Sequence, residues 1–213
     1  FRFARQGIQR LNKIILGIII LMGLALRSYN LDFPSIGYHN MKENEYLSMA
    51  QEMNRTKDYL TRRIYFYHSF EDNPTMRLYP QPPMVSYQTI LAWNVLGENI
   101  WGARLVNVIF GLASIVIIYL ISSILFESAI AALASSLLLA GMPLAVFFSR
   151  NLQPESPAFF FLILGSLFYI KFLKDFKKNW LFFAGVSFSL AWLYKFSFLI
   201  GILPLALCIP YKK

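Results

Sequence analysis

Six apolar runs, each close to the length needed to cross a bilayer, constrain this 213-residue chain more than any other feature. A helix needs about 20 apolar residues to span the hydrocarbon core. Lipid offers no hydrogen bonds to an exposed backbone, so runs of this length must be helical. They cover residues 11–29, 105–126, 128–148, 156–173, 179–194 and 196–211. We therefore predict an all-α, polytopic helical membrane protein with about six spans, the last two being short enough to form one hairpin around Lys195.

Composition agrees with a membrane protein and argues against a nucleic-acid partner. Hydrophobic residues make up 57% of the chain and charged residues only 15%, too few to cover a soluble surface. The net charge of +9 comes largely from basic residues at the ends of the apolar runs. Lys and Arg in such places set membrane topology. The predicted partner is the lipid bilayer.

The runs divide the chain into three parts. Residues 1–29 form a cytoplasmic N-terminus and a first span, residues 30–104 a long polar loop, and residues 105–213 a bundle of about five further spans. Loops as long as 30–104 usually carry function. Within it, residues 84–96 are apolar but too short to cross, so we predict a helix lying at the membrane interface.

The charge distribution predicts the orientation. With the N-terminus inside and residues 84–96 not crossing, the cytoplasmic side has ten basic against two acidic residues, a net +8. The opposite side has ten basic against nine acidic residues, a net +1. This asymmetry follows the positive-inside rule. We therefore expect the long loop on the extracellular, periplasmic or lumenal side.

No secretory signal peptide is evident near the N-terminus. The chain begins with Phe1 and ends with two lysines directly after an apolar stretch, so we expect a trimmed or partial sequence.

Two carboxylates on that outer side are candidate catalytic residues. Residues 41–54 have a helix-forming composition, and at about 100° per residue Glu43 falls in the middle of their apolar face. A carboxylate there must be paired, ligate a metal or face a wet cavity. Glu155 opens a span between Pro154 and Pro157, with Arg150 as its nearest local partner. For both acids the alternative is a first-turn residue stabilised by the helix dipole.

The other candidates are a metal pair and a cation. His39 and Glu43 have the i, i+4 spacing of two metal ligands, and His68 is a conceivable third. Two ligands do not define a site, so a divalent metal stays an alternative and no cofactor is required. Lys195, between two apolar runs, is either a snorkelling end residue or a phosphate contact.

The order of several motifs carries a family resemblance. In chain order they are Ala25-Leu26-Arg27-Ser28-Tyr29-Asn30, Lys42-Glu43-Asn44-Glu45-Tyr46, Gln81-Pro82-Pro83-Met84, Trp101-Gly102-Ala103-Arg104-Leu105, Ser149-Arg150 through Glu155, and Tyr194-Lys195. Together they resemble the GT-C membrane glycosyltransferases, and within that class the protein O-mannosyltransferase and lipid A aminoarabinose transferase group.

The resemblance implies an enzyme that moves a sugar from a polyprenyl-phosphate donor to an acceptor protein or lipid on the outer face. In that chemistry a loop carboxylate is the general base and cations hold the lipid phosphate. On this reading Glu43 and Glu155 are catalytic, with Glu43 as the base and Arg150 and Lys195 near the phosphate. The remaining predicted substrate-binding residues are Lys42, Tyr46 and Gln81.

The sequence also departs from the family pattern. Lys42 stands where the family usually has its catalytic aspartate, Gln81 replaces a lysine, and the second acid is Glu155 rather than aspartate. Family chains are also longer, so this chain corresponds to an N-terminal membrane half. One alternative is therefore a non-catalytic binding or assembly subunit, with a partner chain supplying further spans. The other is a small transporter, which would show broken helices in two related halves.

Overall fold

The computed structural model describes residues 2–36, 41–60, 62–66, 75–78 and 81–203. Within them lie eight α-helices, one pair of β-strands and a final 3₁₀ helix. The elements are α1 (Arg2–Ser28), α2 (Met41–Thr56), β1 (Arg63–Phe66), β2 (Thr75–Leu78), α3 (Met84–Leu96), α4 (Ile100–Phe126), α5 (Ala129–Gly141), α6 (Pro143–Arg150), α7 (Glu155–Asp175), α8 (Lys178–Tyr194) and the 3₁₀ helix Phe196–Ile202.

Three helices are long and apolar enough to cross a membrane: the Arg10–Ser28 part of α1, α4 and α7. The bent pair α5 and α6 makes a fourth if it counts as one span. The predicted helical membrane protein is therefore confirmed, whereas the number of about six spans is not reached in the described part of the chain. The fifth run forms α8, which has 17 residues, and the second half of the sixth run lies outside the described residues.

The apolar run over residues 128–148, predicted as one span, forms two helices rather than one. The helix breaks at Met142, and α5 and α6 are bent by 57°. Pro143 at the start of α6 explains the break, because proline has no backbone N–H to continue the helical ladder.

The guanidinium of Arg27, near the end of α1, lies against this break. Its Nη1 donates to the carbonyl of Ala140 at 2.9 Å, and its Nη2 to that of Leu139 at 3.2 Å. Arg27 thereby satisfies carbonyls that α5 leaves unpaired at its end.

Local sequence sets the other helix ends. Gly97, with φ of 79°, follows α3, and Asn99 caps α4 by accepting from the backbone N–H of Gly102 at 2.6 Å. Glu127 adopts a left-handed conformation after α4, and the hydroxyl of Ser128 caps α5.

The helix predicted over residues 84–96 is present as α3, where it is a core element; its place at the membrane interface stays a prediction. Ser86, Thr89 and Trp93 are buried where α3 packs against α2 and α4. Leu91 and Val95, which are 68% and 82% exposed, form the opposite face. The buried face joins a hydrophobic cluster that includes Tyr46, Met49, Leu152 and Tyr194.

The all-α prediction missed a small hairpin between α2 and α3. Strands β1 and β2 are antiparallel, with Arg63 opposite Leu78 and Phe66 opposite Thr75. The run Ile64-Tyr65-Phe66 has the β-branched and aromatic content that favours a strand.

Candidate functional site

Glu43 forms a fully buried ion pair with Arg104 on α4. Two parallel bonds join them, from Nε to Oε1 at 2.8 Å and from Nη2 to Oε2 at 2.7 Å. The side chains are 0% and 4% exposed respectively. This bidentate geometry is the strongest arrangement of an arginine and a carboxylate.

The Glu43–Arg104 pair also makes hydrogen bonds to three backbone groups and to one hydroxyl. Glu43 accepts from the backbone N–H of Leu152 and from the hydroxyl of Ser35, both at 2.9 Å. Arg104 Nη1 donates to the carbonyls of Leu31 and Phe33. The ion pair therefore fixes α2, α4, the segment after α1 and the segment before α7 to one another.

These contacts keep Glu43 ionised. Burial alone would raise the pKa of this carboxyl, but the hydrogen bonds from Arg104, Leu152 and Ser35 and the charge of Arg104 together lower it below 4.5. To act as a general base, Glu43 would first have to lose contacts that occupy both oxygens.

Glu155 has a different environment at the start of α7. Its Oε1 accepts from Nζ of Lys195 at 2.5 Å. Its Oε2 is buried and has no hydrogen-bond partner among the described residues. Glu155 thus has a cation on one oxygen and an unused acceptor on the other.

The expected partner for Glu155 was Arg150, and that prediction is wrong. Arg150 donates from Nη2 to the carbonyl of Tyr29 at 2.5 Å, and its guanidinium lies 5.5 Å from the centre of the Tyr29 ring. The backbone is extended at Asn151, directly after α6, so the chain turns between Arg150 and α7.

A buried network centred on Asn107 supports the Glu155–Lys195 pair from both sides. Nδ2 of Asn107 donates at 2.7 Å to the carbonyls of both Asn151 and Gln153, just before α7. Its Oδ1 accepts from Gln88 at 2.7 Å, and Gln88 accepts from the hydroxyl of Tyr194, the neighbour of Lys195, at 3.0 Å.

Two cavities meet at Glu155. The apolar cavity, of about 260 Å³, lies among α1, α4, α6 and α7 and includes Arg27, Ala145, Phe148 and Glu155 in its wall. The charged cavity, of about 590 Å³, includes Lys42, Glu45, Phe148 and Glu155. Glu155 therefore belongs to the wall of both cavities.

The remaining predicted site residues are dispersed. Lys42 is exposed and lines the charged cavity, while Tyr46 is 2% exposed within the hydrophobic cluster. Gln81 is half-buried, and its carbonyl accepts from Arg62 at 3.4 Å. His39, the proposed metal partner of Glu43, lies outside the described residues.

Within the described ranges no group of three or more His, Cys, Asp or Glu side chains could hold a metal.

Sequence reasoning missed Arg104 as the partner of Glu43 and missed the Asn107 network entirely. Arg104 belongs to a quoted motif, so its position carried a signal, but its partner lies 61 residues away. Asn107 and Gln88 are single amides within apolar helices. A polar amide in such a helix was the available signal, because it needs a partner.

Comparison with known proteins identifies the family. A family model described as "Dolichyl-phosphate-mannose-protein mannosyltransferase" matches residues 80–211, more than half of the chain. The chain belongs to this mannosyltransferase family. Its members are membrane glycosyltransferases of the GT-C type, as the motif order implied.

One curated relative also matches this chain. An uncharacterized protein of Aquifex aeolicus (strain VF5) is 28% identical over 179 residues, which cover 84% of this chain and 34% of the relative. The chain thus spans about a third of the length of the curated relative it matches.

The family match contains much of the site just described. Arg104, Asn107, Glu155 and Lys195 fall inside residues 80–211, whereas Arg27 and Glu43 precede them.

Proposed function

We propose that this chain carries a sugar-transfer site of a GT-C membrane glycosyltransferase, with a polyprenyl-phosphate sugar as donor and a hydroxyl-bearing protein or lipid as acceptor. The observation that carries the proposal is Glu155, which lines both cavities and has one oxygen without a hydrogen-bond partner among the described residues.

The two cavities suit a single displacement at the anomeric carbon. The donor's isoprenoid lies in the apolar cavity, and the acceptor enters through the charged cavity. The acceptor oxygen forms a bond to the anomeric carbon as the bond from that carbon to the phosphate oxygen breaks. The acceptor proton moves to Oε2 of Glu155, and polyprenyl phosphate leaves with the electron pair.

The charged residues near Glu155 have different roles in this proposal. Lys195 holds Glu155 in place and lies close to the departing phosphate, while Lys42 faces the acceptor in the charged cavity. Glu43 positions the segment before α7 through Leu152 rather than taking the proton. Arg150, Tyr46 and Gln81 stay predicted substrate contacts, although none of the three lines either cavity.

The site belongs to the outer face of the membrane on this proposal. The N-terminus is cytoplasmic, and α8 supplies a span beyond the four that length and composition support. The charge asymmetry along the chain is the support for this orientation.

A non-catalytic binding or assembly subunit is the second candidate. Lys42 stands where the family usually has an aspartate, and the chain covers only 34% of its curated relative. Such a subunit would keep the cavities and the ion pairs, and a partner chain would supply the catalytic group and further spans.

The test is transfer of radiolabelled sugar from a polyprenyl-phosphate donor by the full-length protein in vesicles. Glu155→Gln should lower transfer by about 100-fold or more, the usual contribution of a general base, with donor binding retained. Glu127→Gln, at an exposed acid between α4 and α5, is the matched control and should transfer normally.

Unchanged transfer in Glu155→Gln would refute the base assignment. Donor binding without transfer by the wild type would favour the non-catalytic subunit.

A further inference from the structure

The turn between α7 and α8 is strongly basic, with four lysines and one acid in residues 171–178. Nζ of Lys171 lies 4.8 Å from the centre of the Trp180 ring, so this lysine joins the two helices. The other three are exposed, namely Lys174, Lys177 and Lys178. No ion pair in the described part of the chain includes any of them. The turn therefore presents positive charge that the described residues do not neutralise.

Two of these lysines stand where the helix that follows does not favour them. Lys177 is the N-cap of α8 and Lys178 is its first residue, and the first turn of α8 contains no acid. The helix dipole disfavours cations at this end, and Lys177 makes no side-chain capping bond. The stability of α8 therefore does not explain why lysines stand here.

An apolar groove opens beside the lysines. Its volume is about 560 Å³, and its wall consists of Phe172 and Phe176 at the end of α7 and of Lys178, Leu181 and Phe182 in the first turns of α8. Phe176 and Phe182 are 58% and 67% exposed. Exposed aromatic surface and exposed positive charge thus adjoin at Lys178.

Packing between the two helices fixes the shape of this groove. Only Phe176 and Lys177 separate α7 from α8. The rings of Phe168 and Trp180 stack with their centres 5.8 Å apart, and those of Phe172 and Phe176 meet edge to face at 5.9 Å. The groove and the lysines therefore keep a fixed relation to each other before any ligand binds.

Charge and shape together indicate the occupant. The lysines require an anion, and the phenylalanine-lined groove requires an apolar chain. α7 is long and apolar enough to cross a membrane, so the turn at its end lies at the level of the lipid headgroups. Lysines clustered beside a span attract acidic headgroups at this level.

We propose that the α7–α8 turn binds an anionic phospholipid, with the phosphate at Lys174, Lys177 and Lys178 and one acyl chain in the groove. This site is separate from the one at Glu155. Glu155 begins α7 and Asp175 ends it, so the two sites are about 30 Å apart at a rise of about 1.5 Å per residue. The inference needs neither the proposed sugar transfer nor the proposed orientation.

The test is lipid binding to the full-length protein in an uncharged detergent, counted by native mass spectrometry. Dioleoyl phosphatidylglycerol is compared with dioleoyl phosphatidylcholine, which has the same chains and a zwitterionic headgroup. We expect the anionic lipid to bind more tightly, by about fivefold for each lysine that contacts it. Glycerophosphoglycerol, the same headgroup without acyl chains, should not bind.

A double variant tests the lysines. Lys174→Gln with Lys178→Gln should weaken phosphatidylglycerol binding by about 25-fold and leave phosphatidylcholine binding unchanged. The matched control is Arg10→Gln with Lys13→Gln, which removes two exposed cations from α1. The control should keep the preference for the anionic lipid.

A second variant tests the groove without changing charge. Phe182→Ala removes an exposed ring from its wall and should weaken the binding of both lipids by about threefold or more. Ile130→Ala, at a residue of α5 that is 81% exposed, is its control and should bind both lipids normally.

Four results would overturn the inference. The wild type could bind the two lipids equally, or the lysine variant could keep the preference. Loss of the preference in the Arg10 and Lys13 control as well would show a general attraction to basic surface. Equal binding of glycerophosphoglycerol and phosphatidylglycerol would show a site for a free anion. Sugar transfer enters none of these measurements, so failure of the proposed function leaves the lipid site standing.

Discussion

Breaking the ion pair of Glu43 and Arg104 should destabilise the protein far more than breaking an exposed pair. Glu43→Gln keeps the shape of the side chain and the oxygen that accepts from Leu152 N–H and from Nε of Arg104, but it sets an amide NH2 against Nη2 and leaves the buried guanidinium without a counter-charge. An uncompensated buried charge of this kind costs about 3–5 kcal/mol. Glu52→Gln, which breaks the exposed pair with Arg55, should cost about 0–1 kcal/mol.

A double-mutant cycle tests the reasoning directly. The double variant Glu43→Gln with Arg104→Met removes both charges, so it should cost less than the sum of the two single variants, with a coupling of roughly 0.5–3 kcal/mol. Reversible unfolding in mixed micelles, followed by tryptophan fluorescence, measures all four proteins. Two results would refute the assignment of this pair as the clamp between α2 and α4. One is a loss of unfolding free energy in Glu43→Gln no larger than that in Glu52→Gln. The other is a double variant whose loss equals the sum of the two single losses.

Three further results are expected. The pKa of Glu43 in the folded protein lies below its unfolded value of 4.5, so the clamp's stabilisation is complete above pH 4.5 and is lost as the pH falls below it. An acid titration of stability should show this loss in the wild type and a flatter profile in Glu43→Gln. Asn107→Leu removes two 2.7 Å bonds to the segment before α7. It should lower kcat for sugar transfer by about 100-fold with little change in KM for the donor; equal changes in both would count against a positioning role. Gly111→Ala puts a Cβ 2.4 Å from Oγ of Ser149 and 3.0 Å from Nε of Arg27, and should cost about 1–3 kcal/mol in the same unfolding assay. A wild-type midpoint in that variant would show that α4 and α6 do not approach as closely as described.

The sequence predicted the positions of the helices better than the ion-pair partners of the two carboxylates. Apolar runs located α1, α4 and α7, and residue propensity located α2 around Glu43, because those signals are local. Arg104 and Lys195 were missed as partners because each lies far along the chain from its carboxylate, 61 and 40 residues respectively. Pro143 indicated the bend after α5, but a hydropathy average over residues 128–148 does not detect a single proline.

The carboxylates of Glu43 and Glu155 show why hydrogen-bond partners must be considered together with burial when a reactive group is sought. Both oxygens of Glu43 accept hydrogen bonds, four in all, so this acid can hold segments together but has no acceptor left for a proton. Glu155 lines two cavities, and one of its oxygens has no partner in the part of the chain that the structure describes. The arginines differ in the same way: Arg104 uses Nε, Nη1 and Nη2, whereas Nε of Arg27 has no acceptor among those same residues. Unused donors and acceptors cost free energy in a folded chain, and here both lie in the wall of the apolar cavity. The clamp at Arg104 is therefore complete without a ligand, whereas Glu155 is the acid at which we propose sugar transfer.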